Sequence, residues 1–211
     1  MRLTASKFGL IIKRRRNHTA LVKQLLYAKA CSGGVAALVW GQQHEQDALD
    51  AYKATLGSDF SVREAGIYLS DCGFLGASPD GIVHDNFGHS VRIVEVKCPY
   101  KARDKTLDSM YSDKSFCLCL DNGIPTLKKN HEYFYQIQGQ MAMTGIHICD
   151  FVVWTPFDYI VITILFDRDL WTKQCYPILK HFFLYLMLPE IVYPQHPHEF
   201  PLDYSHLLCY P

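Results

Sequence analysis

The apolar residues of this chain change period twice, and that alternation narrows the folds open to it. Near the start, Leu21, Val22, Leu25, Leu26 and Ala30 recur at helical spacing, with Thr4 and Ser6 placed to cap a first turn. Cys31-Ser32-Gly33-Gly34 breaks the pattern. A second helix is predicted from Trp40 to Leu56, with Ala48, Leu49, Tyr52 and Leu56 as its stripe and Gly57 as its stop. The middle then reads as short segments between turn residues: Val62 to Leu69, Phe74 to Ala77, Gly81 to His84 and Val91 to Val96. These are predicted strands, mostly antiparallel because the connections are short. A short helix is predicted from Lys101 to Leu107, a longer one from Glu132 to Thr144, and no clear pattern between Tyr111 and Asn130. A strand pair follows at Asp150 to Trp154 and Ile160 to Phe166, and Asp167 caps a last helix towards Leu188, with Pro177 as a kink or break. This order predicts an α/β (α+β) domain with a central mixed β-sheet flanked by helices.

Composition excludes other classes. Of 211 residues, 49% are hydrophobic and 20% charged, which rules out a disordered chain, a collagen-like repeat and a coiled coil. No uninterrupted apolar run reaches a membrane span, and Met1-Arg2-Leu3-Thr4 does not open a signal peptide, so a soluble intracellular protein without a membrane partner is expected, nuclear if the host is eukaryotic. Lysine plus arginine and aspartate plus glutamate number 21 each, so no global basic field marks a nucleic-acid partner. The local clusters Lys13 to Arg16 and Lys101, Arg103 and Lys105 read first as solvated faces. The eight cysteines form no CxxC pair and are expected to be free, mostly buried thiols. Five of the ten prolines lie from Pro189 onward, with His196, His198 and His206, which predicts an extended tail at 189–211 after a domain at 1–188.

The chemistry concentrates in Gly76-Ala77-Ser78-Pro79-Asp80-Gly81 and Glu95-Val96-Lys97. Glu95 and Lys97 are two apart on a predicted strand, so their side chains leave the same face. A carboxylate can hold a divalent cation there while the lysine orients an attacking water. Fourteen residues, with a hairpin among them, separate Asp80 from Glu95, and Asp80 would supply a second carboxylate. Magnesium takes one or two carboxylates and keeps several waters, which suits this set. Ser-Pro-Asp-Gly is equally a good β-turn string, and Glu-x-Lys is common on exposed strands. Later in the chain Gln136 and Gln140 are four apart on the predicted helix, offering neutral donors and acceptors to a phosphate backbone.

Five segments in order resemble one family, the YqaJ-type viral recombinases related to phage lambda exonuclease, within the PD-(D/E)xK nuclease superfamily. They are Thr4-Ala5-Ser6, Gly41-Gln42-Gln43-His44-Glu45, Ser78-Pro79-Asp80-Gly81, Glu95-Val96-Lys97-Cys98-Pro99 and Gln136-Ile137-Gln138. The resemblance implies a restriction-endonuclease-like core and a metal-dependent DNA nuclease, a 5′-to-3′ exonuclease on duplex ends acting in recombination or repair. It implies Asp80 and Glu95 as metal ligands, the Val96 carbonyl as a third, Glu45 completing the acidic cluster, and Lys97 acting on water. Ser6, Ser78 and Gln136 match positions that hold a terminal 5′ phosphate, and Gln138 belongs to the same DNA-contacting helix motif. The implied cofactor is Mg2+, with Mn2+ substituting. Implied partners are duplex DNA with a free end, a single-strand annealing protein and further copies of the chain. The family's arginine before Thr-Ala-Ser is displaced here: only Arg2 stands near. The alternative is a non-catalytic DNA-binding or scaffold protein on the same fold, which the presence of Glu45, Asp80, Glu95 and Lys97 together disfavours.

A serine hydrolase is a poor rival at Ser78, because Asp80 stands where the nucleophile elbow needs glycine and Pro79 removes the backbone donor expected after a nucleophile. No glycine loop for nucleotides is present.

Overall fold

The computed structural model describes residues 2–27 and 35–195. The expected break at Cys31-Gly34 and the tail histidines lie outside these residues. The elements run β1 (Leu3–Thr4), α1 (Phe8–Ile12), α2 (His18–Tyr27), α3 (Val35–Lys53), β2 (Phe60–Arg63), β3 (Tyr68–Leu69), β4 (Leu75–Ala77), β5 (Gly81–Asp85) and β6 (Ser90–Lys97). They continue with β7 (Leu118–Asp121), β8 (Ile124–Leu127), α4 (Glu132–Thr144), β9 (Ile148–Trp154), β10 (Tyr159–Leu165) and a C-terminal helix over Arg168–Val192.

Five strands form the main sheet in the order β10-β9-β6-β5-β2. Only β6 and β9 pair in parallel, so the sheet is mixed, as the pattern predicts. β6 is its middle strand, and Ile93, Val94, Glu95 and Val96 are all buried. Alternation along it assigns the two faces. Val94 and Val96 pack with Ala48, Leu49 and Tyr52 of α3, while Ile93 packs with Phe134, Ile137 and Met141 of α4. Two helices thus sandwich the sheet, and the carboxylate of Glu95 lies on the α4 side.

A third core gathers α1, α2, the C-terminal helix and the small sheet β1-β4-β3. Helices α1 and α4 interlock through glycines. A Cβ on Gly139 would fall 2.4 Å from the Phe8 ring, and one on Gly9 would fall 2.5 Å from the Glu132 Cα. This contact brings the Thr4–Lys7 segment beside the first turns of α4.

Several elements differ from the sequence reading, each for a local reason. Val62 to Leu69 is two strands in different sheets, separated by Glu64-Ala65-Gly66-Ile67. The predicted helix at Lys101 to Leu107 is instead two single 3-10 turns, Tyr100–Ala102 and Asp108–Met110. The unpatterned stretch before α4 holds the hairpin β7–β8, turned by Asn122 and Gly123 at φ 49° and 81°. Thr4 caps no helix; its Oγ1 lies 3.2 Å from the Ser6 Oγ. Pro177 does not break the last helix. A π-helical stretch, Trp171–Cys175, ends two residues before Pro177, and a second, Phe182–Met187, ends two residues before Pro189. The wider turns accommodate the proline rings and their missing N–H groups. The helix therefore passes the expected boundary at 188 and ends at Val192, with Glu190 buried. It is long and apolar enough to cross a membrane by length and composition, and its apolar stripe of Trp171, Leu179, Phe182 and Leu186 is packed into the third core. The six described cysteines are free, and Cys117, Cys149 and Cys175 are buried.

Candidate active site

Asp80 and Glu95 are brought together by strand register. Gly81 pairs with Val94. The Asp80 N–H donates to the Val94 carbonyl (3.0 Å), and the Val96 N–H donates to the Asp80 Oδ2 (2.7 Å). Asp80 therefore stands beside Glu95 at the start of β5. Gly81 is the first residue of that strand, and a Cβ there would meet the Val62 Cγ1 at 2.9 Å. The Asp-Gly pair is thus a strand entrance, and the β-turn reading of Ser-Pro-Asp-Gly does not hold.

Glu95 is 1% exposed and receives donors on both oxygens. Lys97 Nζ and Gln136 Nε2 donate to Oε1, the latter at 2.5 Å, and Gln140 Nε2 donates to Oε2 at 2.6 Å. Lys97 also sits 5.2 Å from the centre of the Tyr133 ring. Burial and the charge of Glu95 push the Asp80 pKa up to about 7, against the opposing pull of Lys97 and the Val96 N–H. Burial would lower the Lys97 pKa, but Glu95 and Asp80 outweigh it and hold the ammonium charged. The pair therefore has more negative charge than one lysine settles comfortably.

Glu45 reaches the site from α3. Its neighbour His44 is fixed between Trp40 and Trp154, with ring centroids 3.9 and 5.3 Å away. Glu45 lines two clefts. One, about 480 Å³, is shared with Ser6, Lys7, Val96, Lys97, Tyr133 and Gln136. The other, about 250 Å³, is shared with Lys53, Arg63, Glu64 and Asp80. Cys98 also lines the first cleft, but burial pushes its thiol up to about 12, so it is not a nucleophile near neutral pH.

Two carboxylates that repel each other at the edge of a cleft fit a hard divalent cation. Nothing among the described residues donates to the Asp80 Oδ1, which leaves that oxygen for a ligand. Among the described residues, no three carboxylate, imidazole or thiolate groups gather into an all-protein cage. A cation here would complete its shell with waters and a backbone carbonyl, and Val96 is the adjacent residue.

The remaining sequence candidates separate. Ser6 is exposed at the first cleft. Ser78 is exposed and its Oγ donates to the Gly66 carbonyl at 3.3 Å. Arg2 is exposed, with Nε donating to the Gly73 carbonyl at 2.9 Å. Gln138 is not a DNA-contacting group: it is fully buried, its Nε2 donates to the Leu165 carbonyl (3.0 Å), and its Oε1 accepts from the Asp167 N–H (2.8 Å). Gln136 and Gln140 turn to Glu95 and not outward as the sequence reading had them. Sequence reasoning also missed Asp150, a buried carboxylate that accepts from Tyr52 (2.6 Å), Thr163 (2.8 Å) and Arg92 (3.0 Å) and ties α3 to the sheet.

The sequence profile of the YqaJ-like viral recombinase domain matches residues 1–147. The chain belongs to this family. An alkaline nuclease of Orgyia pseudotsugata multicapsid polyhedrosis virus is 28% identical to this chain in a 178-residue alignment that covers 70% of this chain and 42% of that protein. The chain thus spans less than half the length of that relative. An alkaline exonuclease from Laribacter hongkongensis, LHK-Exo, superposes with a TM-score of 0.63 at 24% identity, over 91% of this chain and 90% of that one. The same enzyme in complex with dAMP gives 0.65 at 24% identity, over 92% and 91%. A phage-related exonuclease from Haemophilus somnus 129PT gives 0.57 at 13% identity, over 86% and 92%. These likenesses give the YqaJ-like domain the restriction-endonuclease-like fold that the order of motifs implies.

Proposed function

We propose that this chain is a divalent-metal-dependent deoxyribonuclease that degrades duplex DNA from free ends in the 5′-to-3′ direction and serves recombination. The observation that carries this reading is the placing of Asp80, Glu95 and Lys97 around one carboxylate oxygen cluster beside a cleft. Family membership and relatives described as alkaline nuclease and exonuclease support it.

In this reading Asp80 and Glu95 would hold Mg2+, which Mn2+ could replace, with the Val96 carbonyl as a further oxygen and Glu45 completing the acidic cluster. When bound, the ion polarises the phosphodiester and lowers the pKa of a coordinated water. Lys97 would orient the attacking water and stabilise developing charge. Gln136, at the cleft wall, stands near the scissile strand. Ser6 and Ser78 hold the terminal 5′ phosphate, and Arg2, just before the first strand, stands nearest the place of the family's arginine to assist them. Since Arg2 is engaged with Gly73, the preference for a phosphorylated end is weak.

The deciding assay compares linear, end-blocked, covalently closed and single-stranded DNA in magnesium. Loss of linear duplex with circles intact is expected, and EDTA should abolish it. Rapid cutting of closed circles would exclude the exonuclease assignment, and cleavage in EDTA by pure protein would exclude the metal. Ser78→Ala should reduce the preference for a 5′ phosphate more than the cleavage rate.

A further inference from the structure

Helix position alone makes Gln136 and Gln140 equivalent, one turn apart on α4. Burial separates them. Gln136 lines the cleft, whereas Gln140 is 1% exposed and lines neither cleft, so it cannot meet a DNA backbone. Its Nε2 lies 2.6 Å from the Glu95 Oε2 and 3.4 Å from the Ser78 carbonyl. Ser78 is two residues before Asp80, so this amide spans the segments that carry the two acids. Its own Oε1 is buried without a partner among the described residues. An orphan acceptor is costly to bury. Methionine has similar length and no orphan, but it leaves the buried Glu95 Oε2 without this donor. What the amide adds is one donor to Glu95.

We propose that Gln140 is a positioning residue that fixes the Glu95 carboxylate, by its grip on Oε2 and on the Ser78 carbonyl, in the orientation needed to share a cation with Asp80. The inference rests on the functional reading above. With Lys97 and Gln136 on Oε1, only a donor on Oε2 keeps the carboxylate plane from swinging towards them. Outer partners of metal-binding groups set affinity in this way, and their removal costs about 10- to 100-fold in metal affinity or activity.

The test measures Mn2+ binding calorimetrically on the full chain without DNA, then turnover on linear duplex at saturating Mn2+. Gln140→Met should weaken Mn2+ binding by about tenfold or more and lower kcat by a similar factor, with KM for DNA nearly unchanged. Gln140→His, whose ring N–H can reach the same oxygen, should recover part of both losses. Parent-like Mn2+ affinity and kcat in a folded Gln140→Met protein would overturn the inference. Equal losses in both variants, in step with their melting temperatures, would overturn it too. If the methionine variant does not fold, the histidine variant decides, and a loss as large as that of Asp80→Asn would count against the proposal. Asp80→Asn also separates the two levels. If it binds Mn2+ as the parent does, the functional reading falls and this inference with it; if it loses binding and Gln140→Met does not, only the inference falls.

Discussion

A carboxylate buried beside a second one is a poor place for a proton to leave, and Asp80 occupies that position. Its pKa near 7 means that below neutrality a proton competes with any cation for the site. Mn2+ affinity should therefore rise as pH increases from 5.5 to about 7.5, and Asp80→Asn should flatten the profile; a flat profile in the parent would contradict the assignment. Asp80→Asn and Glu95→Gln should each lower turnover by about 100-fold or more, while Lys97→Ala should lower turnover with Mn2+ binding retained. Gln138→Leu belongs to another class. It leaves the Leu165 carbonyl and the Asp167 N–H unpaired, so it should cost about 1–3 kcal/mol of stability in urea unfolding and leave end preference unchanged. The acid pair was legible because alternation and a hairpin fix which strand residues meet. Gln138 was not placed by its motif, yet it lies about 200° around the helix from Gln136 and cannot share its surroundings. Helix periodicity shows which residues share a face; it does not show that the face is turned to a buried carboxylate. That is why Gln136 and Gln140 read as outward groups.

At the scale of elements, the contact between α1 and α4 is the most exacting. Gly139→Ala would drive a methyl into the Phe8 ring, and a shift of α1 would drag Ser6 and Lys7 from the cleft. A loss of about 1–3 kcal/mol is expected in chemical denaturation, and DNA affinity should fall with it. Stability equal to the parent would show that α1 can give way freely. Most helices and main-sheet strands were legible from period alone. The exceptions depend on partners: β3 is too short for a period of its own and exists by pairing with β4 across the small sheet. The Asn122-Gly123 turn was available as a signal, since Asn-Gly between apolar residues favours a tight hairpin. The π-helical stretches before Pro177 and Pro189 carry no sequence mark beyond the prolines themselves.

Over the whole molecule, the site draws on segments near residues 6, 45, 80, 95 and 136, so no short piece of the chain contains it. Net charge is zero, so binding depends on how local cations meet phosphates rather than on a general field. DNA affinity should fall steeply with salt, on a log-log line whose slope counts the phosphates contacted; a slope near zero would remove the backbone contacts. The crowding of Asp80 against Glu95 has a thermodynamic side as well. The unfolded chain releases the Asp80 proton near pH 4 and the folded one near 7, so between these values rising pH draws free energy out of the metal-free fold. Neutralising that charge should make the Asp80→Asn protein melt at a higher temperature than the metal-free parent at pH 8. Saturating Mn2+ should restore the parent and do nothing for the variant, since a ligand stabilises only the state that binds it.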